Sequence, residues 1–147
     1  MIKGRLINTE DIRNFVFGGN STITLENGET GKYFTFKVRI AKKDDKTAPF
    51  FVSVLSGTDN HSSFSYVGVI SSDKKVFKLT QKSKVSKDTI SFKAFNFFFE
   101  HLLLNKIPTN LHIYHSGTCG RCGRKLTHPD SIISGLGPEC YKKIKKI

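Results

Sequence analysis

Residues 32–41, KYFTFKVRIA, decide the fold. Successive side chains of an extended chain point to opposite sides, so Phe34, Phe36, Val38 and Ile40 share one face and Tyr33, Thr35, Lys37 and Arg39 the other. This is a strand with one apolar face and one wet, basic face. Just upstream, STITLE (21–26) repeats the period of two, and NGETG (27–31) supplies the turn that makes the pair a β-hairpin. Downstream, KKDDKTAP (42–49) reads as a charged, solvated loop that includes Asp44 and Asp45. FFVSVLS (50–56), FSYVGVI (64–70) and VFKLTQK (76–82) follow as strands separated by the turns GTDNHSS and SSDKK. The expected core is an antiparallel sheet of about five strands.

At the N-terminal end, Thr9, EDIRNFVF (10–17) and Gly18-Gly19 have the order of a short helix: Thr9 as cap, acids in the first turn and glycine at the stop. After KSKVSKD, the segment TISFKAFNFFFEHLLLNKI (89–107) contains no Gly or Pro and is too long for one strand. It is apolar on more than one side, which predicts a helix buried against the sheet and ended by Pro108. Phe34, Phe36 and Phe97 to Phe99 are expected in the core. NLHIYH (110–115) returns as a short strand. The fold class is therefore α+β, an antiparallel sheet of about five strands packed on one long aromatic helix. Residues 1–108 form that domain, and residues 109–147 form a C-terminal module.

All three cysteines lie in the module, within GTCGRCGRKLTHPDSIISGLGPECYKK (117–143). Cys119-Gly-Arg-Cys122-Gly has the form of a zinc knuckle, two thiolates two residues apart followed by a glycine that lets backbone N–H groups turn toward sulfur. Redox sites share the CxxC spacing, but no βαβ context accompanies it here, and Cys140 lies 18 residues beyond Cys122. Pro138 suits the first turn of a helix running through ECYKKIKKI, which puts Cys140 in its opening turn, where the helix dipole favours a thiolate. Knuckle plus helix is a treble-clef-like arrangement for Zn2+. THPDSIISG between them predicts a turn or two of helix, capped by Thr127 or Asp130 and closed by Gly135. Three residues after Cys140 stands Lys143, whose ammonium does not ligate. The fourth ligand falls to His115, the favoured candidate because it leads into the knuckle, or to His128, His112, a water or a partner's side chain.

The 147 residues carry 24 Lys and Arg against 12 Asp and Glu, a net charge of +12. Residues 1–105 hold 16 basic and 10 acidic side chains and the last 42 hold 8 and 2, so each part carries +6 and the C-terminal part is more than twice as densely charged. Such an excess attracts phosphate backbones first among polyanions. Arg121, Arg124 and Lys125 in the knuckle, and Lys142 and Lys143 beyond Cys140, are candidate phosphate contacts. So are Lys37, Arg39, Lys78 and Lys82 from the sheet and its last turn, with Tyr33 and Tyr66 as candidate stacking residues. No run of apolar residues is long enough to span a membrane, and MIKGRLINTEDIRNF lacks the apolar stretch of a signal peptide, so a cytoplasmic setting is expected. Reduced thiols there favour metal binding over disulfides.

CGRCGRKLTHPDSIISGLGPEC (119–140) resembles a small cysteine module of unknown function found in many phage and actinobacterial proteins, with the pattern CxxCGR, Leu-Thr, Pro-x-Ser and Gly-x-Gly-Pro-x-Cys. FTFKVR, FFVSVLSGTDN, YVGVI and IYHSGTCGRCGR extend the similarity over residues 20–141. The resemblance implies a phage or mobile-element origin, a zinc module and a histidine ligand at His115, and no activity. Three functions stay in view. The first is a basic phage-type zinc protein that binds DNA or RNA through phosphate contacts. The second is a counter-defence or host-takeover inhibitor that binds a host protein complex. The third, ranked last, is a zinc-dependent enzyme, because no glutamate accompanies a histidine as in zinc hydrolases, and Ser53, Ser56 and His61 lack a nucleophile elbow. Neither a membrane nor a small-molecule substrate is expected as a partner.

Overall fold

The computed structural model describes residues 4–56 and 63–145; His61 lies outside them. Seven strands form one sheet: β1 (Gly4–Leu6), β2 (Asn20–Asn27), β3 (Tyr33–Ile40), β4 (Phe50–Leu55), β5 (Phe64–Ile70), β6 (Phe77–Lys78) and β7 (Leu111–His115). Their order is β1-β7-β2-β3-β4-β5-β6, with every neighbouring pair antiparallel. The expected count of about five is thus too low. β1 escaped because three residues show no period, whereas the expected seven-residue last strand shrinks to Phe77–Lys78. β7 is the anticipated return strand, hydrogen-bonded on both sides between β1 and β2. Residues 111–115, assigned by sequence to the C-terminal module, are therefore part of the sheet.

Four helices accompany the sheet: α1 (Thr9–Val16), α2 (Ile90–Leu103), α3 (Pro129–Ser134) and α4 (Pro138–Lys145). α1 begins one residue earlier than expected. Asn8, not Thr9, is its cap, and Asn8 Oδ1 accepts the backbone N–H groups of Glu10 and Asp11 at 2.8 and 3.2 Å. α2 starts at the cap Thr89 but stops at Leu103, well before Pro108. Asn105 turns into the left-handed region, φ 56°, and its side chain accepts Arg13 Nη2 at 2.7 Å, while the same guanidinium donates to the Leu102 carbonyl. A cation from α1 thus satisfies the carbonyl end of α2 and ends it. Among the described residues no helix is long and apolar enough to cross a membrane.

The alternation of β3 does what its residues require. Phe36 and Val38 are fully buried beside Ile23, Val52 and Val54, and α2 lays Phe95, Phe98 and Leu102 onto them. Phe36 meets Phe95 at 5.0 Å between ring centroids, and Phe77 meets Phe95 at 4.9 Å and Phe92 at 5.3 Å. Phe98 and Phe99 are core as expected, but Phe97 is 47% exposed and lies on His101. A helix packing on one face of a sheet buries only part of its circumference, and three consecutive residues exceed that arc. Ile12, Phe15 and Val16 of α1 enter the same core. Helices α1 and α2 therefore share one face of the sheet, and on the opposite face Tyr33 stays 61% and Phe51 44% exposed.

Backbone hydrogen bonds help dock the segment after β7 onto this core. Asn20 N–H donates to the Gly120 carbonyl at 2.8 Å, and Gly120 N–H to that of Gly135 at 3.0 Å. A Cβ on Gly120 would lie 2.6 Å from Phe15 Cδ1 and 2.7 Å from the Phe15 carbonyl. Phe15 is itself fully buried and has nowhere to retreat. Gly120→Ala is expected to cost about 1–3 kcal/mol, the usual range for overpacking, read as a lower urea midpoint with unchanged slope; an unchanged midpoint would mean a looser joint.

Candidate metal centre

β7 delivers the chain to a tight knuckle. Thr118 bridges Lys125, Cys119 N–H donates to the Arg124 carbonyl at 2.8 Å, and Gly123 N–H returns to the Cys119 carbonyl at 2.9 Å. Gly123 takes φ 80°, a conformation that a side chain resists, which is the physical need behind CxxCG. The turn aims the N–H groups of Arg121 and Cys122 at Cys119 Sγ, at 3.4 and 3.5 Å. α3 follows, closed by the left-handed Gly135 as expected. Its cap is neither Thr127 nor Asp130 but His128, whose Nδ1 accepts the Asp130 N–H at 3.2 Å. Pro138 then opens α4 and places Cys140 in its first turn.

The result is convergence of three thiols from two distant stretches: the sulfurs of Cys119, Cys122 and Cys140 all lie within 4.8 Å of one another. No disulfide joins them. Burial raises the Cys119 thiol's pKa, but the N–H groups of Cys122, Gly137 and Arg121 outweigh that and hold it below the ordinary value. Cys140 is pushed up to about 11, by burial first and by the neighbouring thiols, against a lowering contact from Arg121. Three thiols this close resist ionising together unless a cation sits among them. Soft donors preorganised by N–H···S contacts fit a metal ion that converts all three to thiolates.

The packing around the sulfurs makes the same point. Cys119, Leu126, Leu136 and Cys140, with Ile144 against them, form a cluster separate from the main core. A cluster this small gives the segment little apolar stabilisation, and a metal bound at the sulfurs would add folding energy.

His115, the favoured fourth ligand, is not grouped with the three sulfurs in this structure. His115 is buried, with its Nε2 2.5 Å from the Ile132 carbonyl and its Nδ1 accepting the Gly117 N–H at 3.0 Å. Both nitrogens are spent on backbone, so the ring is a neutral Nε2–H tautomer that ties α3 to β7. It also rests against Phe15, at 5.8 Å between centroids. His128 serves as the α3 cap, and His112 Nδ1 pairs with Glu26 Oε1 at 3.0 Å. Among the described residues the ligand group consists of the three cysteines. From sequence, a histidine at a strand end beside a knuckle looks the same whether it binds metal or backbone.

The basic candidates separate into two kinds. Arg124, Lys125, Lys142 and Lys143 are exposed on the module, and Arg39, Lys78 and Lys82 are exposed on the sheet side. Lys37 lies with its Nζ over the Phe64 ring, 4.4 Å from the centroid. Arg121 turns inward instead: Nη1 is 3.9 Å from Cys140 Sγ, and Nη2 is 3.4 Å from Asp44 Oδ1. It belongs to the metal centre's surroundings more than to the outer surface, and Asp44, read as loop, is its partner. Arg5 and Phe51, both exposed on the sheet, carry no sequence signal that singles them out.

Residues 109–145 match the model of a family of unknown function (DUF6011). The match covers about a quarter of the chain and spans β7, the knuckle and the helix bearing Cys140. No curated protein and no solved structure matches the chain.

Two outcomes follow from this geometry. Chelation is expected to raise amide exchange across residues 117–145 while β7, paired on both sides, keeps its protection; uniform protection after chelation would remove the metal's structural role. Burial lowers the pKa of His115 below the ordinary 6.5, outweighing the upward pull of the Ile132 carbonyl. The unfolded chain then takes up a proton at pH values where the folded one does not, so stability falls as pH drops below that value. His115→Gln should flatten the difference in urea midpoint between pH 7.5 and 5.5, and an unchanged pH slope would show that His115 is already free to protonate.

Proposed function

We propose that this chain is a zinc protein of phage type that works in the cytoplasm as a binding protein rather than an enzyme, and that it binds nucleic acid through phosphate contacts. Zinc is the reading for the ion because three thiolates are soft donors, and zinc accepts a tetrahedral site of three cysteines completed by one more ligand. The knuckle followed by a cysteine in the first turn of α4 is treble-clef-like. Solvent or a partner's side chain would complete the set.

The observation that carries the nucleic-acid reading is the exposure of Arg124 and Lys125 on the knuckle together with Lys142 and Lys143 on α4. Four cations on a small metal-braced frame lose little freedom on meeting phosphates, and a net +12 steers the encounter. A host protein complex is the second reading, and a specific feature favours it. Ile90 and Phe97 of α2 and its C-cap residue Leu104 recur at intervals of seven, and all three are exposed. Such a stripe suits an apolar protein groove.

Binding of labelled DNA or RNA is expected to weaken steeply between about 50 and 200 mM salt. Reversing Arg124 and Lys125 to Glu should lower both the affinity and the salt slope, by about one unit of slope for each phosphate no longer neutralised, with zinc content unchanged. Arg121 is the wrong residue for that test because it lies against Cys140. A salt-resistant, nuclease-resistant complex with one lysate protein, together with no retention of nucleic acid, would favour the second reading.

A further inference from the structure

The sheet face opposite α1 and α2 carries an ordered set of rings and cations. Across β2, β3, β4, β5 and β6 the register aligns Asn20, Arg39, Phe51, Val69 and Lys78 in one row. Beside it runs Thr22, Lys37, Ser53 and Tyr66. Phe51 stands in the middle, 44% exposed, with the Tyr66 ring 6.0 Å away and tilted by 78°. Arg39 and Lys78, both exposed, flank it across three strand spacings, about 14 Å. Among the described strand residues of this face the acidic side chain is Glu26, which already accepts from His112 and Tyr114.

We infer that this face is a platform for single-stranded nucleic acid, with a base stacked on Phe51 beside Tyr66 and phosphates held by Arg39 and Lys78; this rests on the nucleic-acid reading above and names its strand form and its surface. A large apolar ring left half in water at the centre of a hydroxyl- and cation-rich face has a use when a base covers it, since every base presents a π-face and the flanking cations neutralise its backbone. Duplex DNA fits poorly. Its base faces are stacked inside, and a sheet of seven strands is roughly 30 Å wide, against a major groove of about 12 Å. A protein partner would bury Arg39 and Lys78 in its contact, and interface cores are depleted of charge.

The test is fluorescence anisotropy on the full-length, zinc-loaded protein with labelled oligothymidylate and with a labelled duplex of mixed sequence. The single strand is expected to bind more tightly than the duplex. Phe51→Ala should weaken oligothymidylate by roughly five- to a hundredfold with the salt slope unchanged, as for loss of one stacked base. Phe51→Trp should keep the affinity, which separates lost stacking from lost packing. Arg39→Gln should lower the salt slope by about one. If Phe51→Ala binds like the parent, or the duplex binds as tightly as the single strand, the platform is overturned. In that case, loss of binding on reversing Arg124 and Lys125 would leave the phosphate reading standing. If the parent binds neither probe, both readings fall together.

Discussion

Everything in this molecule hangs on a strand from near the C-terminal end that fills the gap between β1 and β2. Ile113 sits opposite both Leu6 and Leu25, and His115 opposite Gly4 and Ile23. Without β7, the three-residue β1 has no ladder, and β2 becomes an edge with unpaired N–H and carbonyl groups. The consequence reaches the cysteines, since the knuckle begins three residues after the strand ends. The cysteine site is therefore rooted in the sheet instead of hanging from a linker. Phe15 from α1 and His115 from β7 complete the joint, with the glycines of the knuckle and of the α3 stop letting backbone meet the Phe15 ring.

At the candidate metal centre, the same dipeptide does two jobs. Gly-Arg occurs at 120–121 and again at 123–124. The first arginine lies between the two knuckle cysteines, so its backbone N–H points at Cys119 Sγ and its side chain reaches Cys140 and Asp44. The second follows the left-handed Gly123, which reverses the chain and sends the side chain to solvent. Three thiolates around a divalent ion would leave one net negative charge, which a guanidinium against Cys140 would offset. Removing Arg121 would therefore act on the centre before it acted on any ligand.

The parts legible in the sequence are those where one local pattern has one structural solution. The alternation of residues 33–40 fixes a strand and its two faces, CxxCG needs a left-handed glycine, and a proline shortly before a cysteine opens a helix. The illegible parts depend on interactions between distant residues. α2 runs toward Pro108 by pattern but stops where Arg13, from another helix, meets Leu102 and Asn105. His115 has the right type and spacing for a ligand, yet its ring nitrogens are claimed by Ile132 and Gly117, and nothing local announces that claim. FFVSVLS reads as a strand without saying which phenylalanine is buried; the pleat decides that Phe50 goes in and Phe51 goes out.

That inside-outside choice at residues 50 and 51 carries the last step. A one-residue slip of β4 would bury Phe51 and expose Phe50, Val52 and Val54, which the core does not permit. The exposure of Phe51 is thus fixed by its neighbours' burial, and a less apolar residue there would leave the core untouched. A sheet covered on one side needs polar residues on the other only for solubility, and Thr22, Thr24, Thr35 and Ser53 meet that need. The ring amid those hydroxyls, with Arg39 opposite it in register, goes beyond what folding requires. The module gathers exposed cations around its three cysteines, and the sheet adds a ring that a flat π-system can cover. A phosphate backbone with unpaired bases, the ligand proposed above, has the chemistry to meet both.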